Sequence, residues 1–460
     1  MYVTRPLSTY LREPEALSLP PPDGPNSGVL VIQDEAAQPT CCFGLLKSDE
    51  ARLLFPQNKN LKVQYAVSTG TSSYVEINRV HFIPVLNKPL SSNQYYVIGR
   101  GNKHTGEAHI SSTEAEDMKT CCFCSYVSTR KPQPLNPNSM YQQFEIHRQR
   151  WGGFVAKSVA PDGIPPDFLR TKGWGVYTST PSEFQLTEAS GLNRKLRACL
   201  PEFNFKLSEQ SSSPTIVVGK WYCPFMFIKE GQLLKDQMKR STYYEMTLEQ
   251  QWVQIYYREN NHNEGNVVNV DVVVEGQVVT VDGRRVNQKQ VVDGVMWFRS
   301  GNDVGLNLAI IERIKLEEEN FGWVAAGGTD KEELRVKRVE EFGGIGGWRK
   351  FGCYVLVERR VTHKDVVDGV MWFRRGNDVG LSLAIIERMK LEEENFGWAA
   401  GGTDKEKLRV KRMEEFGGIG GWKKFGCYVL VERFVLKRMG GSLVLTHEFR
   451  HTNQTRSKWE

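Results

Sequence analysis

Nowhere in these 460 residues do about 18 apolar residues run together, so the sequence predicts no membrane-spanning helix. The N-terminus, MYVTRPLSTYLREPEALSLPPPDGPNSG, lacks the apolar core an export signal needs, because prolines and charges interrupt it throughout. Charge of one sign is scarce as well. Sixty Lys plus Arg stand against 54 Asp plus Glu, a net +6. The signs alternate locally, as in KEELRVKRVEEF, which leaves no basic stripe for nucleic acid. The nine cysteines are odd in number, so a closed set of disulfides would leave one over. With no export signal they are expected in a reducing compartment, and the cytoplasm is the expected address.

What is present reads as α+β, predominantly β: antiparallel sheets, a few helices, and a β-rich C-terminal half. Composition divides the chain into an N-terminal α+β region over 1–130, an aromatic-rich central α+β region over 140–260 and a β-rich region over 266–460. GVLVIQDE, YVEINRVHFIPVL and NQYYVIGRG are strand-like, with Pro84 predicting an edge or bulge in the second. PSEFQLTEASGLNRKLRACL reads as helical, and so does LLKDQMKRSTYYEMTLEQQWVQIYYREN. In the latter, Thr247 and Gln250 have capping-box spacing, and Leu248, Trp252, Ile255 and Tyr256 share a helical face. NVVNVDVVVEGQVVTVDGRRV predicts a hairpin around Glu275-Gly276, and FGCYVLVERFVLKRMGGSLVLTHEFRH another at Gly440-Gly441.

The C-terminal half says the same thing twice. Val291–Arg359 and Val366–Arg433 differ by the loss of Val324 and by six substitutions. These are Ser300/Arg375, Asn307/Ser382, Ile314/Met389, Glu333/Lys407, Val339/Met413 and Arg349/Lys423. Two units without divergent caps do not make a solenoid. A single-copy parent would run hairpin, unit, tail, so duplication leaves two contenders for one place. The surplus unit must fold beside it, hang free, or self-associate through its strand edges.

The segments MYVTRP, PPPDGPNSGVLVIQDE, TCCFC, YQQFEI, PPDFLRTKGW, VVGKWYCPFMFIKEG, YYEMTLEQQW and the ending RSKWE resemble a plant family known as domain of unknown function 1262. The resemblance runs over essentially the whole chain. It implies a plant-encoded intracellular protein whose repeated unit occurs once in the family, and it offers no catalytic residues to carry over.

Candidate chemistry is sparse. Cys42 and the group Cys121, Cys122 and Cys124, preceded by His104 and His109, are thiolate and imidazole ligands of the kind zinc prefers. Adjacent strand residues face opposite ways, so Cys122 and Cys124 are the pair expected to share a face, with Cys42 a conceivable partner. The competing reading is small buried apolar residues in strands. GRGNKHTGEAH has the glycine spacing of a phosphate loop but follows its last glycine with Glu107-Ala108, which puts a carboxylate where Lys is needed. GGIGGW, present twice, predicts tight turns beside a packed tryptophan. Glu317–Glu319 reads as a charged strand end or loop, and no local signature of an activated nucleophile surrounds Cys199 or Cys223. The leading expectation is a soluble, non-catalytic binding or interaction protein, with QRWGGF, KGWGVY and GKWYCPFMF either lining a recognition surface or packing in the core. The alternatives are a metal- or thiol-dependent enzyme at Cys121–Cys124 and, more weakly, a β-rich membrane-surface or pore-type protein using the valine-rich hairpins.

Overall fold

Long antiparallel strands dominate the computed structural model. It describes the chain apart from residues 38–39, 42–45, 69–72, 102, 122–123, 209–210, 262–264, 287, 324–362, 368–369, 376, 383–406 and 419–420. Strand makes up 48% against 17% helix, which is the predominantly β form of α+β expected from the sequence. No helix among the described residues is long and apolar enough to cross a membrane.

The largest sheet has nine strands. Eight follow the order Arg284–Arg285, Gln277–Val281, Leu443–Trp459, Lys424–Arg438, Tyr243–Glu259, Ile216–Pro224, Tyr2–Pro6 and Gly28–Ile32, and Gly191–Leu192 pairs with Ile216–Pro224 from the side. Only Tyr2–Pro6 and Gly28–Ile32 run parallel within it. The sheet draws strands from all three regions that composition distinguishes. Its last two long strands join through Gly440-Gly441, as the sequence indicated, with Gly441 at φ +82°.

Two helical expectations are overturned here. In the segment starting at Leu233, only Leu234–Arg240 is helical, and Tyr243–Glu259 is a 17-residue strand at the centre of the sheet. Tyr244, Met246, Leu248, Gln250 and Trp252 are all buried, which is a period of two that one polar member disguises. The other segment is helical only over Arg194–Cys199, where Asn193 caps the N-terminus by accepting from the Leu196 N–H at 3.0 Å. Gly191 starts a strand instead. Its φ of +78° and the closeness of Asp23 and Val3 leave no room for a side chain.

A six-stranded antiparallel sheet runs in the order Phe154–Ser158, Gln143–Arg148, Gln94–Gly99, Ser73–Pro84, Asn60–Ser68, Gly175–Ser179. Trp174 stacks on Phe82 in its core with ring centres 6.2 Å apart. The Ser73–Pro84 strand is interior, contrary to the edge expected from Pro84. The proline is tolerated because it is the last residue of the strand, where its carbonyl accepts from Tyr2 Oη at 2.8 Å.

The valine-rich stretch is no hairpin. Val267–Glu275 pairs with Lys407–Glu415, whereas Gln277–Val281 pairs with Leu443–Trp459, so the chain changes sheets at Gly276. Val268, Val270 and Val274 face inward, with Val268 and Val270 packing near Trp422 and Phe425, and Val267, Val273 and Met413 face out. The tight turns lie further on, at Asp282-Gly283 (φ 47° and 77°) and Asp293-Gly294 (φ 49° and 72°). Positive φ at both central residues is the geometry a two-residue hairpin loop needs, and Asp-Gly supplies it.

The two copies share one place in the fold. The first half of copy one forms a meander, Gln288–Val292, Val295–Arg299 and Asp303–Asn307, which adds to Ile228–Lys229 and leads into the helix Leu308–Phe321. The second half of copy two supplies Lys407–Glu415 and Lys424–Arg438. Among the described residues, the unit is therefore a composite of the first part of copy one and the last part of copy two. The meander of copy two, His363–Val367, Val370–Arg375 and Asn377–Ser382, repeats the register of copy one: Val366 pairs with Met371 as Val291 does with Met296. The two meanders take the same local structure, as their near-identity requires.

Candidate functional site

Five charged side chains and a histidine converge where the composite unit meets the large sheet. Arg197, on the short helix Arg194–Cys199, reaches Glu317 at 3.1 Å, Glu318 at 3.0 Å and Glu432 at 2.5 Å. Arg313 pairs with Glu317 at 2.7 Å, one turn back on the same helix. His451 Nε2 lies 3.0 Å from Glu318 and 3.3 Å from Glu432. Gln250 Nε2 donates to Glu432 at 2.8 Å and to the Arg197 carbonyl at 3.0 Å, which explains the polar residue in the buried row of its strand. The Arg197 guanidinium also lies 4.2 Å over the Phe321 ring.

All of these groups are buried. Burial alone would raise the Glu432 pKa, but Arg197 and then His451 outweigh it and bring Glu432 down to about 2. For His451 burial works against the charged form, yet its hydrogen bonds to Glu318 and Glu432 carry it up to about 9. Glu318, pushed up by burial and by Glu432, sits at about 7. Three basic side chains, Arg197, Arg313 and His451, thus face three acidic ones, Glu317, Glu318 and Glu432. Buried charge is tolerable only in such a balanced, hydrogen-bonded set.

Glu318, Glu432 and His451 are also close enough together to hold a metal ion. The donor set does not fit one. The Arg197 guanidinium already stands against both carboxylates, at 3.0 and 2.5 Å, where an ion would have to displace it. The arrangement is a lock: it ties together two helices and three strands, with residues drawn from both copies.

Sequence reasoning misses Arg197, Glu318, Glu432 and His451 as a group, because their separations in the chain exceed 100 residues for most pairs. Glu317–Glu319 is not a strand end or loop but the last turns of a helix, with Glu317 and Glu318 turned inward. One signal did point at His451. His447-Glu448-Phe449-Arg450-His451 has the HExxH spelling of zinc peptidases. That chemistry needs a helix, which brings the two histidines to one ion. Here they lie on the Leu443–Trp459 strand, where four residues span roughly 13 Å. His447 is lowered well below its usual value by burial and by Lys289 and Lys315, and stays neutral against Phe449.

The expected cysteine–histidine group is placed as follows. Cys42 and Cys122 lie outside the described residues. Cys121 and Cys124 stand directly opposite each other in the hairpin Met118–Cys121 and Cys124–Val127. The expected Cys122–Cys124 pair therefore lies partly outside the described residues. His104 Nδ1 is 2.7 Å from Glu107, and His109 packs edge-on to Phe168, lowered to about 4 by burial and by His104. Among the described residues the three-ligand grouping contains none of them. Neither Cys223 nor Cys427 is an activated thiol, since burial pushes each up to about 11. The aromatic motifs are mostly core: Trp174, Trp221, Tyr222, Phe225 and Phe227 are buried, while Trp151, at 92%, and Tyr177 are exposed. Trp422, of the second GGIGGW, is packed against Trp459 as expected.

An open cleft of about 530 Å³ lies against the cluster, lined by Asp23, Asn193, Arg194, Lys195, Arg313 and Glu317 among others. Arg194 and Lys195 are exposed, and Asp23 is turned to the wall, accepting from the Trp221 indole N–H. Arg313 is buried, and its Nε has no hydrogen-bond partner.

Fold and site together define a β-rich protein with a charge-balanced buried lock and an adjoining cationic cleft. Residues 23–123 match the model of a family described as protein of unknown function (DUF1262). No curated protein matches the chain. Among solved structures it is similar to the crystal structure of Cry35Ab1, at 10% identity over 88% of this chain and 90% of that one. The TM-score of 0.32 is too low for that likeness to define a shared fold.

Proposed function

We propose that this chain is a member of the DUF1262 family along its whole length, encoded in plants, and that it acts by binding rather than catalysis. Its ligand site is the cleft beside the lock, and the ligand is a small hydrophilic anion. One arrangement carries this reading: Arg194, Lys195 and Arg313 line the cleft against Asp23 and Glu317, and Asp23 is engaged by the Trp221 indole N–H. A bound carboxylate or phosphate oxygen accepts charge-assisted hydrogen bonds from such guanidinium and ammonium groups. Arg194 and Lys195 at the rim add attraction for the same charge. The size of the cleft suits a small molecule, and its charged lining favours a polar one. The lock itself offers no catalytic group, because every member is committed to another.

Titration calorimetry with inorganic phosphate and, separately, acetate tests the reading. The exposed pair Arg194→Ala/Lys195→Ala is expected to weaken binding by about tenfold or more for each charge-assisted hydrogen bond removed, with the fold intact. Equal affinity in the double variant, or no binding of either anion to the wild type, would sink it.

A second reading has its own observation. Cys121 and Cys124 are backbone partners in neighbouring strands, which brings two potential thiolate ligands of a zinc site close together in the fold. Cys42, Cys122, His104 and His109 are the further thiol and imidazole groups this reading would draw on.

A further inference from the structure

The place that the first meander fills has a second tenant in the same chain. In copy one, Met296, Phe298, Val304 and Leu306 are the buried residues of the meander, and Leu306 and Gly305 pair with Ile228 and Lys229. Copy two carries the same residues at the same steps, Met371, Phe373, Val379 and Leu381, with Gly380 before the last. Its three strands have the same mutual register. Yet Asn377–Ser382 has no fourth strand among the described residues, whereas its counterpart Asp303–Asn307 does.

The differences between the copies do not decide the contest. Up to Trp323 and its counterpart Trp398 there are three. Asn307 caps the following helix by accepting from the Ala309 N–H at 3.0 Å, and serine, its replacement, caps as well. Ile314 is buried, and methionine in its place conserves volume. Ser300 is half-buried next to Gly301 at a turn, where arginine extends to solvent. Chain connection is even-handed too. With copy one seated, the excursion runs from Trp323 to Lys407; with copy two seated, it runs from Arg285 to His363. Each is about 80 residues, so loop closure costs the same.

We infer that residues 363–382, with the sequence that follows them, are an alternative occupant of the surface that Gln288–Asn307 covers, and that the two exchange within one chain. The partner for this interaction surface is thus encoded 75 residues downstream, the offset from Val291 to Val366.

The test uses the full chain in three forms. Phe298→Asp/Leu306→Asp disables copy one, Phe373→Asp/Leu381→Asp disables copy two, and the third form carries all four changes. Each single-copy form is expected to melt within about 3 °C of the wild type and to elute as a monomer, while the quadruple form loses its cooperative transition. If disabling copy one alone is as damaging as the quadruple change, copy two does not fit the surface and the inference fails. A rescued form that elutes only as a dimer would also overturn it, by placing the exchange between chains.

Discussion

Replacing Arg197 by methionine is the sharpest perturbation of the lock. The side chain that leaves holds three carboxylates at 3.1, 3.0 and 2.5 Å, and all three acceptors are buried. What remains is three glutamates against Arg313 and His451, one acid in excess at a buried site. Removing one partner of a buried ionic set costs about 3–5 kcal/mol, far more than an exposed pair would. Glu432→Gln on top of it restores neutrality and keeps an oxygen for the Gln250 amide, so the double variant is expected to recover about 1–3 kcal/mol of that loss. Urea unfolding followed by tryptophan fluorescence reads both as shifts in midpoint at constant slope. A cost below about 1 kcal/mol for Arg197→Met, or simple additivity in the double variant, would refute the lock.

Two further outcomes follow from the same chemistry. His451 and Glu318 both bind protons more tightly folded than unfolded, at about 9 against 6.5 and about 7 against 4.5, so their contributions are complete in mild acid and lost as pH rises through those values. Glu432, depressed to about 2, works the other way and is lost as pH falls below 4.5. The urea midpoint is therefore expected to decline between pH 6.5 and 9, and His451→Gln to flatten that decline; an unchanged slope in the variant would contradict the assignment. Metal analysis of protein purified without chelator bears on the other site: about one zinc per chain, abolished by Cys121→Ser/Cys124→Ser, is the expected result if the hairpin thiolates ligate, and no zinc in the wild type removes that reading.

How much of this was legible in the sequence depends on range. The hairpin at Gly440-Gly441, the strands Ser73–Pro84 and Gln94–Gly99 and the predominance of β structure were, because each is announced by local alternation or turn residues. Tyr243–Glu259 was not. Gln250 sits where an apolar residue should continue the period of two, and with that position discounted the remaining apolar residues fit a helical face. Gln250 is polar because Glu432 and the Arg197 carbonyl need its amide, and those partners lie 182 and 53 residues away. The same long reach hid the lock as a whole. The Glu275-Gly276 hairpin failed for a related reason: both flanking strands are real, but each found a better partner elsewhere in the chain.

The order of synthesis gives the composite unit one further property. Ile228–Lys229 and the first meander leave the ribosome before the second meander has been made. At about 5–20 residues per second, the 75-residue offset is a head start of several seconds, whereas hairpins form in microseconds. The strands Lys424–Arg438 and Leu443–Trp459, which close the unit, arrive only after both candidates are present. Freshly made chains would thus carry copy one in place by precedence, and refolding from denaturant, where both compete from the start, would erase that memory.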